Sequence, residues 1–548
     1  MVIGGGIAGI QASLDLADRD IHVYLVEKLP TIGGTMCRLD KTFPTNDCSA
    51  CILSPKMADC IGHPNITTLT HHEVTSVNGE AGDFKVKLLK KARYVNPDVC
   101  TACGDCLSKC PQKNIPDEFE YGLSTRRAIY IPHAQAVPRV AIIDPSHCSM
   151  LKEGKCGVCA KVCGPKAINY DDKDEVVELD IGSIIVATGL KVWDAKIATE
   201  YGYGRHKNVV TALEFERMMC ASGPSGGHIQ LPSSGEAPKS IAFIQCCGSR
   251  SEKKGWKKYC SSVCCMYATK QAILTKEHIS DVKEDIFFMD IRSYGKEFEA
   301  YIQRAENQYK INMHRSARVS NVEEDIDSKE LTINYTNKEN DGVSEKYDLV
   351  VLSVGLTPPE GAEDLAKMLG IELNEYGFCK TTVFNPLETT RKGVFVTGAF
   401  SAPKDIPTSV AEASGAAGKA GAYIVDENFI PCAPKVYPEE KDVEGKEPRV
   451  GVWVCHCGTN IGSVVDVPDV AEYAKGLPYV VYSTESRYAC AQDCLEEISK
   501  AIVAEDLNRV VVASCTPRTH EPLFREACRN GGLNKYLFNM ANIRDQCS

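Results

Sequence analysis

Val2-Ile3-Gly4-Gly5-Gly6-Ile7-Ala8-Gly9-Ile10-Gln11-Ala12-Ser13 reads as a strand, a tight glycine turn and a helix start. Gly4 permits the turn, Gly6 lets the backbone approach a pyrophosphate, and Gly9 lets helix pack on strand. Phosphates would sit at Ile7 and Ala8, where the helix N-terminus presents unbonded N–H groups. The next apolar run, Ile21–Val26, ends at Glu27 and Lys28, and Glu27 is placed to accept a ribose hydroxyl. Ile32-Gly33-Gly34-Thr35 reads as a second close backbone approach. A glycine turn alone is a weak signal, but strand, glycines, helix, strand and acid in that order make a strong one. The stretch predicts a bound ADP moiety.

The 548 residues exceed what one core can organise, so several domains are expected. Hydrophobic content of 43% and charged content of 25% are ordinary for a globular chain. A net charge of −11 gives no reason to expect nucleic acid. No apolar run reaches membrane-span length, and no basic leader precedes the glycines. With Val2 and Ile3 alone before the turn, and Asp545-Gln546-Cys547-Ser548 at the other end, the chain reads as a fragment or one piece of a longer or split gene product.

The 27 cysteines fall at ligand spacings rather than at the scattered positions of a disulfide scaffold. They point to metal in a reducing cytoplasm. Cys100-x2-Cys103-x2-Cys106-x3-Cys110-Pro111 is the bacterial ferredoxin run. Cys148-x7-Cys156-x2-Cys159-x3-Cys163 follows, with a first gap longer than usual that leaves Cys148 the weakest assignment. The remote cysteine of each run ligates the other cluster. One [4Fe-4S] cluster is therefore assigned Cys100, Cys103, Cys106 and Cys163, and a second Cys110, Cys148, Cys156 and Cys159. Zinc is the weaker alternative for these eight. Cys48-Ser49-Ala50-Cys51 has the spacing of a redox dithiol but no visible helix start after a strand, so it reads as structural or cluster-adjacent.

Ile181–Gly189 is a strand ending in Ala187-Thr188-Gly189, so the cysteine-rich stretch is an insertion within a nucleotide-binding unit. At Lys239–Gln245 a second such unit should begin, but its glycine turn is missing. Cys246-Cys247-Gly248-Ser249-Arg250 and Cys260-x3-Cys264-Cys265 stand there instead. NAD(P) should bind poorly, and a third cluster is assigned to Cys246, Cys260, Cys264 and Cys265, with Cys247 as the alternate. Lys270, on the helix after Cys265, is the candidate catalytic cation beside a reduced flavin, although a solvated lysine is the commoner case. Gly393–Ala399 is a strand leading into a helix over 409–423; Gly398 and Ala399 stand at the cofactor, with alanine where many flavoproteins hold the ribityl chain by aspartate.

The last hundred residues read as a separate α/β unit. Strand ends place Cys455, Cys457 and Cys515 together, and Cys490 completes a fourth cluster; Cys547 is a rival ligand. His456 and His520 are candidate ligands or partners of that cluster, although ordinary hydrogen-bonded histidines are the commoner case.

The chain resembles the flavin- and cluster-carrying component of heterodisulfide reductase, its A-type component, and that component's relatives. The motifs that carry the resemblance are Val2–Ser13, Phe43–Cys48, the inserted cysteines, Cys260–Tyr267, Pro403–Pro407 and Val454–Gly458. It implies an α/β, thioredoxin-reductase-like flavoprotein with two dinucleotide-binding domains, an inserted ferredoxin-like 2[4Fe-4S] domain and a C-terminal cluster domain. The expected division is an FAD-binding domain over 1–94, 171–238 and 346–432, the ferredoxin-like insert over 95–170, a degenerate NAD-like domain over 239–345, a linker over 433–448 and an iron–sulfur domain over 449–548. FAD, several [4Fe-4S] clusters and a cytoplasmic multi-subunit complex are implied, with the flavin splitting an electron pair. Partners would be a hydrogenase- or dehydrogenase-type donor, ferredoxin and a disulfide-reducing subunit. In methanogen members the Cys455-type domain precedes the flavin domain, whereas here it follows; no terminal ferredoxin domain is visible, and Cys246 to Cys260 is one residue longer than usual. Two readings rival bifurcation. A self-contained NAD(P)H oxidoreductase requires the glycine fingerprint missing near position 246; a passive electron wire is not distinguishable by sequence.

Overall fold

The computed structural model describes residues 1–315, 318–424 and 436–547. Its apolar strand runs build three parallel sheets. The first runs Val394–Val396, Ile184–Val186, Val2–Ile3, Val23–Glu27, Ile66–Thr70. Strand order reverses beside Val2–Ile3, the switch point at which open α/β sheets bind ligands. Helices Ile7–Ala17 and Ile406–Gly421 bury one face of this sheet. The other face packs toward an antiparallel sheet of His72–Glu80, Asp83–Lys90 and Glu175–Ile181. The helix expected over 409–423 begins earlier, at Ile406, because Asp405 caps it by accepting the N–H of Thr408 at 2.8 Å.

The cysteine-rich segment leaves that antiparallel sheet at Lys90 and returns at Glu175, which face each other in register. It therefore extends a hairpin tip and adds no strand to the three parallel sheets. Its neck is tied by Asp172, which accepts the N–H groups of Arg93 and Tyr94, and by Asp174, which accepts that of Ala92.

The second parallel sheet runs Val209–Thr211, Leu349–Val354, Ser240–Cys247, Lys283–Phe288, Asn312–Arg315. Two boundaries differ from expectation. Val209–Thr211, expected within the FAD-binding part, forms the edge of the second sheet, and Leu349–Val354 lies inside it. Every residue of Leu349–Val354 is buried, and so continuous an apolar strand needs a neighbour on each side, here Val209–Thr211 and Ser240–Cys247. The C-terminal sheet runs Val480–Ser486, Val450–Cys455, Arg509–Ser514, Phe538–Asn542, with apolar layers on both faces. Its helix Pro517–Asn530 packs against helix Ser49–Gly62 of the first unit. The expected linker lies partly outside the described residues. No described helix is long and apolar enough to cross a membrane.

Candidate functional site

A cavity of about 610 Å³ opens at the carboxyl ends of the first sheet, a size ordinary for a cofactor site, roughly 300–1,000 Å³. Gly4, Gly6, Ile7, Ala8, Glu27, Lys28 and Gly34 line one end, and Thr188, Gly189, Gly398 and Ala399 another. Gly6 precedes the first helix without a capping side chain, so the first-turn N–H groups remain available to phosphate. Gly4 has φ +109°, and a Cβ there would stand 2.4 Å from the Ala187 carbonyl oxygen. Glu27 braces the turn: its carboxylate accepts the N–H of Gly5 at 2.7 Å and that of Leu29 at 2.8 Å, while burial pushes its carboxyl above the usual range.

Gly9 and Gly33, expected at the cofactor, do not line the cavity. A Cβ on Gly9 would meet the Gly4 carbonyl oxygen at 1.8 Å, so Gly9 serves helix-to-turn packing. Gly33, at φ +118°, donates its N–H to the Gly5 carbonyl at 2.7 Å and so holds the two glycine segments together. The buried Thr188 Oγ1 and Gln271 Oε1, on residues lining the cavity, have no protein partner. Buried polar atoms require partners, and these fit a polar, phosphate-bearing dinucleotide.

Lys270 reaches the same cavity and is buried, not solvated. Its ammonium pairs with the buried Glu216 carboxylate and donates to the Lys41 carbonyl at 2.8 Å. Gln271 and the N–H of Asp40 also donate to Glu216, both at 3.0 Å. Burial and the facing Glu216 raise the Asp40 carboxyl to about 6. The helix Cys264–His278 organises this wall: Val263, Tyr267 and Lys270 recur at helical spacing and line the cavity together.

That helix starts at the third cysteine set. Strand Ser240–Cys247 carries a register irregularity before Cys247, where Cys246 adopts φ +60°. Cys247, the alternate ligand, is turned into the core with its thiol on the Ile244 carbonyl at 3.3 Å. Cys246, Cys260, Cys264 and Cys265 lie close enough to perturb one another: burial raises the thiol of Cys264 most and the other three raise it further, while Cys247 is raised in turn by Cys246 and Cys264. Where a dinucleotide fold would have a glycine turn, residues 248–262 fold back on themselves, with Lys257 donating to the Gly248 carbonyl and Arg250 to that of Tyr259. The Trp193 indole covers Gly248, where a Cβ would come 2.1 Å from the ring.

In the insert, Cys100, Cys103, Cys106 and Cys163 ring one small apolar cavity. Cys110, Cys148, Cys156 and Cys159 ring another. Among the described residues no three His, Cys, Asp or Glu side chains group tightly enough for a single ion. Mononuclear zinc needs its sulfurs about 2.3 Å from one centre, whereas a cubane gives each thiolate its own iron and spaces them around a volume. Thiol-ringed cavities fit the second chemistry. The insert also reaches the dinucleotide cavity, which Tyr121 lines. Glu120 beside it accepts from the fully buried Arg217 guanidinium at 2.7 and 3.0 Å, locking the insert to the helix Ala212–Met219.

The C-terminal unit forms a chamber with the first unit. Cys455, Cys457, Cys490 and Cys515 line it, as do Cys48, Cys51 and Cys220. Cys455 hydrogen-bonds Cys457 and draws that thiol below the usual range. The rival Cys547 is exposed and not in the chamber. His456 bonds Glu485 at 2.9 Å as an ordinary histidine. His520 does not: it is fully buried against the chamber, neither ring nitrogen has a partner, and burial lowers it to about 4. Tyr488 and Ser514 also line the chamber with unpartnered hydroxyls. Three unsatisfied polar groups fit a cluster whose sulfurs accept hydrogen bonds.

The chain is 48% identical over 420 residues to the iron–sulfur A-type component of the CoB--CoM heterodisulfide reductase of Methanocaldococcus jannaschii, covering 76% of this chain and 63% of that one. It is 41% identical over 496 residues to a protein of Archaeoglobus profundus that is likewise named as like the A-type component of heterodisulfide reductase, covering 83% and 69%. This chain belongs to the family of the heterodisulfide reductase A-type component. A third member, the A-type component of the H(2):CoB-CoM heterodisulfide,ferredoxin reductase of Methanothermobacter marburgensis, is 45% identical over 450 residues, covering 81% and 66%. The chain thus spans 63% and 66% of the length of the first and third of these family members. Residues 260–417 match the family described as pyridine nucleotide-disulphide oxidoreductase. Among solved structures, the thioredoxin reductase of Lactococcus lactis aligns with a TM-score of 0.43 at 17% identity, covering 77% of this chain and 98% of that chain.

In this site sequence reasoning missed Glu216 and Tyr121, named Tyr267 only within the Cys260–Tyr267 motif, and weighed His520 but read it as ordinary. Glu216 and Lys270 stand 54 residues apart on different helices, and no local pattern links them. Tyr267, one turn beyond Cys264, was visible as a helical neighbour of Lys270.

Proposed function

We propose that this chain is the FAD- and [4Fe-4S]-carrying, electron-bifurcating component of a cytoplasmic heterodisulfide-reductase-type complex. It would pass electrons between a hydrogenase- or dehydrogenase-type donor, ferredoxin and a disulfide-reducing partner. The observation that carries this reading is that two cysteine-bearing regions supply walls of one cavity and that a wall residue is shared with the chamber of a third. Tyr121 comes from the insert, Val263 and Tyr267 from the helix of the third set, and Leu39 lines both this cavity and the C-terminal chamber. FAD supplies a carrier that accepts two electrons and releases them singly, and iron–sulfur clusters carry one at a time.

The chain's own residues position and tune. Gly6, Ile7 and Ala8 cradle phosphate, and Thr188 offers its free hydroxyl. Lys270 holds a buried cation, compensated by Glu216, at the wall nearest the third set. Tyr267 donates to the Val354 carbonyl at 2.8 Å and touches Cys264, joining that set to the cavity wall. Trp193 and the folded 248–262 loop occupy the approach a nicotinamide would use. The name of the Methanothermobacter marburgensis relative pairs heterodisulfide with ferredoxin, in keeping with two outlets for electrons. Purified anaerobically with flavin and clusters intact, the chain should be bleached by reduced ferredoxin and left unchanged by NADH or NADPH. Rapid bleaching by NADPH alone would overturn the reading in favour of a self-contained nicotinamide oxidoreductase.

A further inference from the structure

Cys48 and Cys51 form the one disulfide among the described residues, while the other described cysteines are free. Their Cα atoms lie 5.2 Å apart. Cys48 is not away from a helix start, as its sequence context implied. It follows the short strand Asp47–Cys48 and caps the 14-residue helix Ser49–Gly62, its sulfur accepting the N–H of Cys51 at 3.2 Å. A Cys-x-x-Cys pair at a helix N-terminus is the setting in which a thiolate is stabilised and disulfide exchange is fast. A cation adds to it: the Arg544 guanidinium of the C-terminal unit stands 3.8 Å from the Cys51 sulfur.

The pair's place matters as much as its chemistry. Both residues line the chamber that holds Cys455, Cys457, Cys490 and Cys515. On its other side, Cys48 pairs in register with Lys41, whose carbonyl receives Lys270 and whose neighbour Thr42 lines the dinucleotide cavity. The pair thus stands between the two sites: it lines the chamber directly, and its cross-strand partner Lys41 lines the dinucleotide cavity.

We propose that Cys48 and Cys51 are a redox-active pair that stores two electrons between the dinucleotide cavity and the C-terminal chamber. The S–S bond breaks as it takes two electrons and two protons, giving two thiols. The electrons come one at a time from a [4Fe-4S] cluster in the chamber, oxidised by one electron on each transfer, and the protons come from solvent. Reoxidation re-forms the S–S bond, returning the two electrons singly to the oxidised cluster and the two protons to solvent. The proposal rests on the flavin and iron–sulfur reading above.

The test is thiol trapping on the full chain, isolated anaerobically with iron and flavin bound. Samples taken before and after reduction by Ti(III) citrate are quenched in acid, denatured and alkylated with N-ethylmaleimide, and the peptide spanning 48–51 is weighed. The expected change is from no additions to two. Cys48→Ser and Cys51→Ser should keep full iron and flavin content and show one addition in both states. Two additions before reduction would overturn the proposal, as would none after reduction. Loss of about four irons in either variant would make the pair cluster ligands and likewise overturn it. A chain lacking iron altogether, with the pair still switching under reductant, would instead count against the flavin and iron–sulfur reading.

Discussion

Lys270→Met should destabilise the flavin-loaded chain by about 3–5 kcal/mol, the cost of leaving one member of a buried ion pair without its partner. Lys270 and Glu216 are almost fully excluded from water, at 1% and 2% side-chain exposure. Gln271 and the Asp40 N–H still donate to Glu216, which places the expected loss toward the lower end of that range. Glu216→Gln should cost less stability, because the Lys41 carbonyl keeps one bond to the ammonium. The double variant should recover most of the loss, since removing both charges leaves no uncompensated ion. Denaturant unfolding under anaerobic conditions reads this cycle. Flavin potentials separate tuning from packing: Lys270→Met should lower the two-electron midpoint and Glu216→Gln raise it. Equal shifts of one sign would leave the pair a structural bridge.

Cys163→Ser should remove about four irons per chain, and from a particular ring. Cys163 lies in the cavity of Cys100, Cys103 and Cys106, far from them in sequence, rather than with its sequence neighbours Cys156 and Cys159. Native alkylation should therefore expose Cys100, Cys103 and Cys106 while Cys148, Cys156 and Cys159 stay protected. Cys110→Ser should give the mirror pattern. Exposure of the sequence neighbours instead would contradict the crossed arrangement.

The glycine turn, the acid at position 27 and the strand ends at Thr188 and Gly398 were legible because a dinucleotide cradle imposes local backbone demands. So was the grouping of the insert cysteines, Cys163 falling beside Cys100, Cys103 and Cys106, and Cys110 beside Cys148, Cys156 and Cys159. What escaped was set by tertiary packing. Glu216 is found only once two helices pack. The edge strand Val209–Thr211 gives no sign of which sheet it joins until its neighbour is known. The helix beginning at Ser49 was hidden by Cys, Ser and an internal Pro55, residues of weak or negative helix propensity. Tertiary packing against helix Pro517–Asn530 accompanies it, and that contact lies far along the chain. His520 looked ordinary because an unmet hydrogen bond leaves no mark in a sequence.

Cys246, Cys260, Cys264 and Cys265 are held here to carry a cluster beside the flavin in place of a nicotinamide. Iron and flavin counts on anaerobic wild-type and Cys260→Ser chains test this most directly. The expected result is on the order of sixteen irons in the wild type and about four fewer in the variant, with flavin retained at one per chain. Unchanged iron in Cys260→Ser would contradict it.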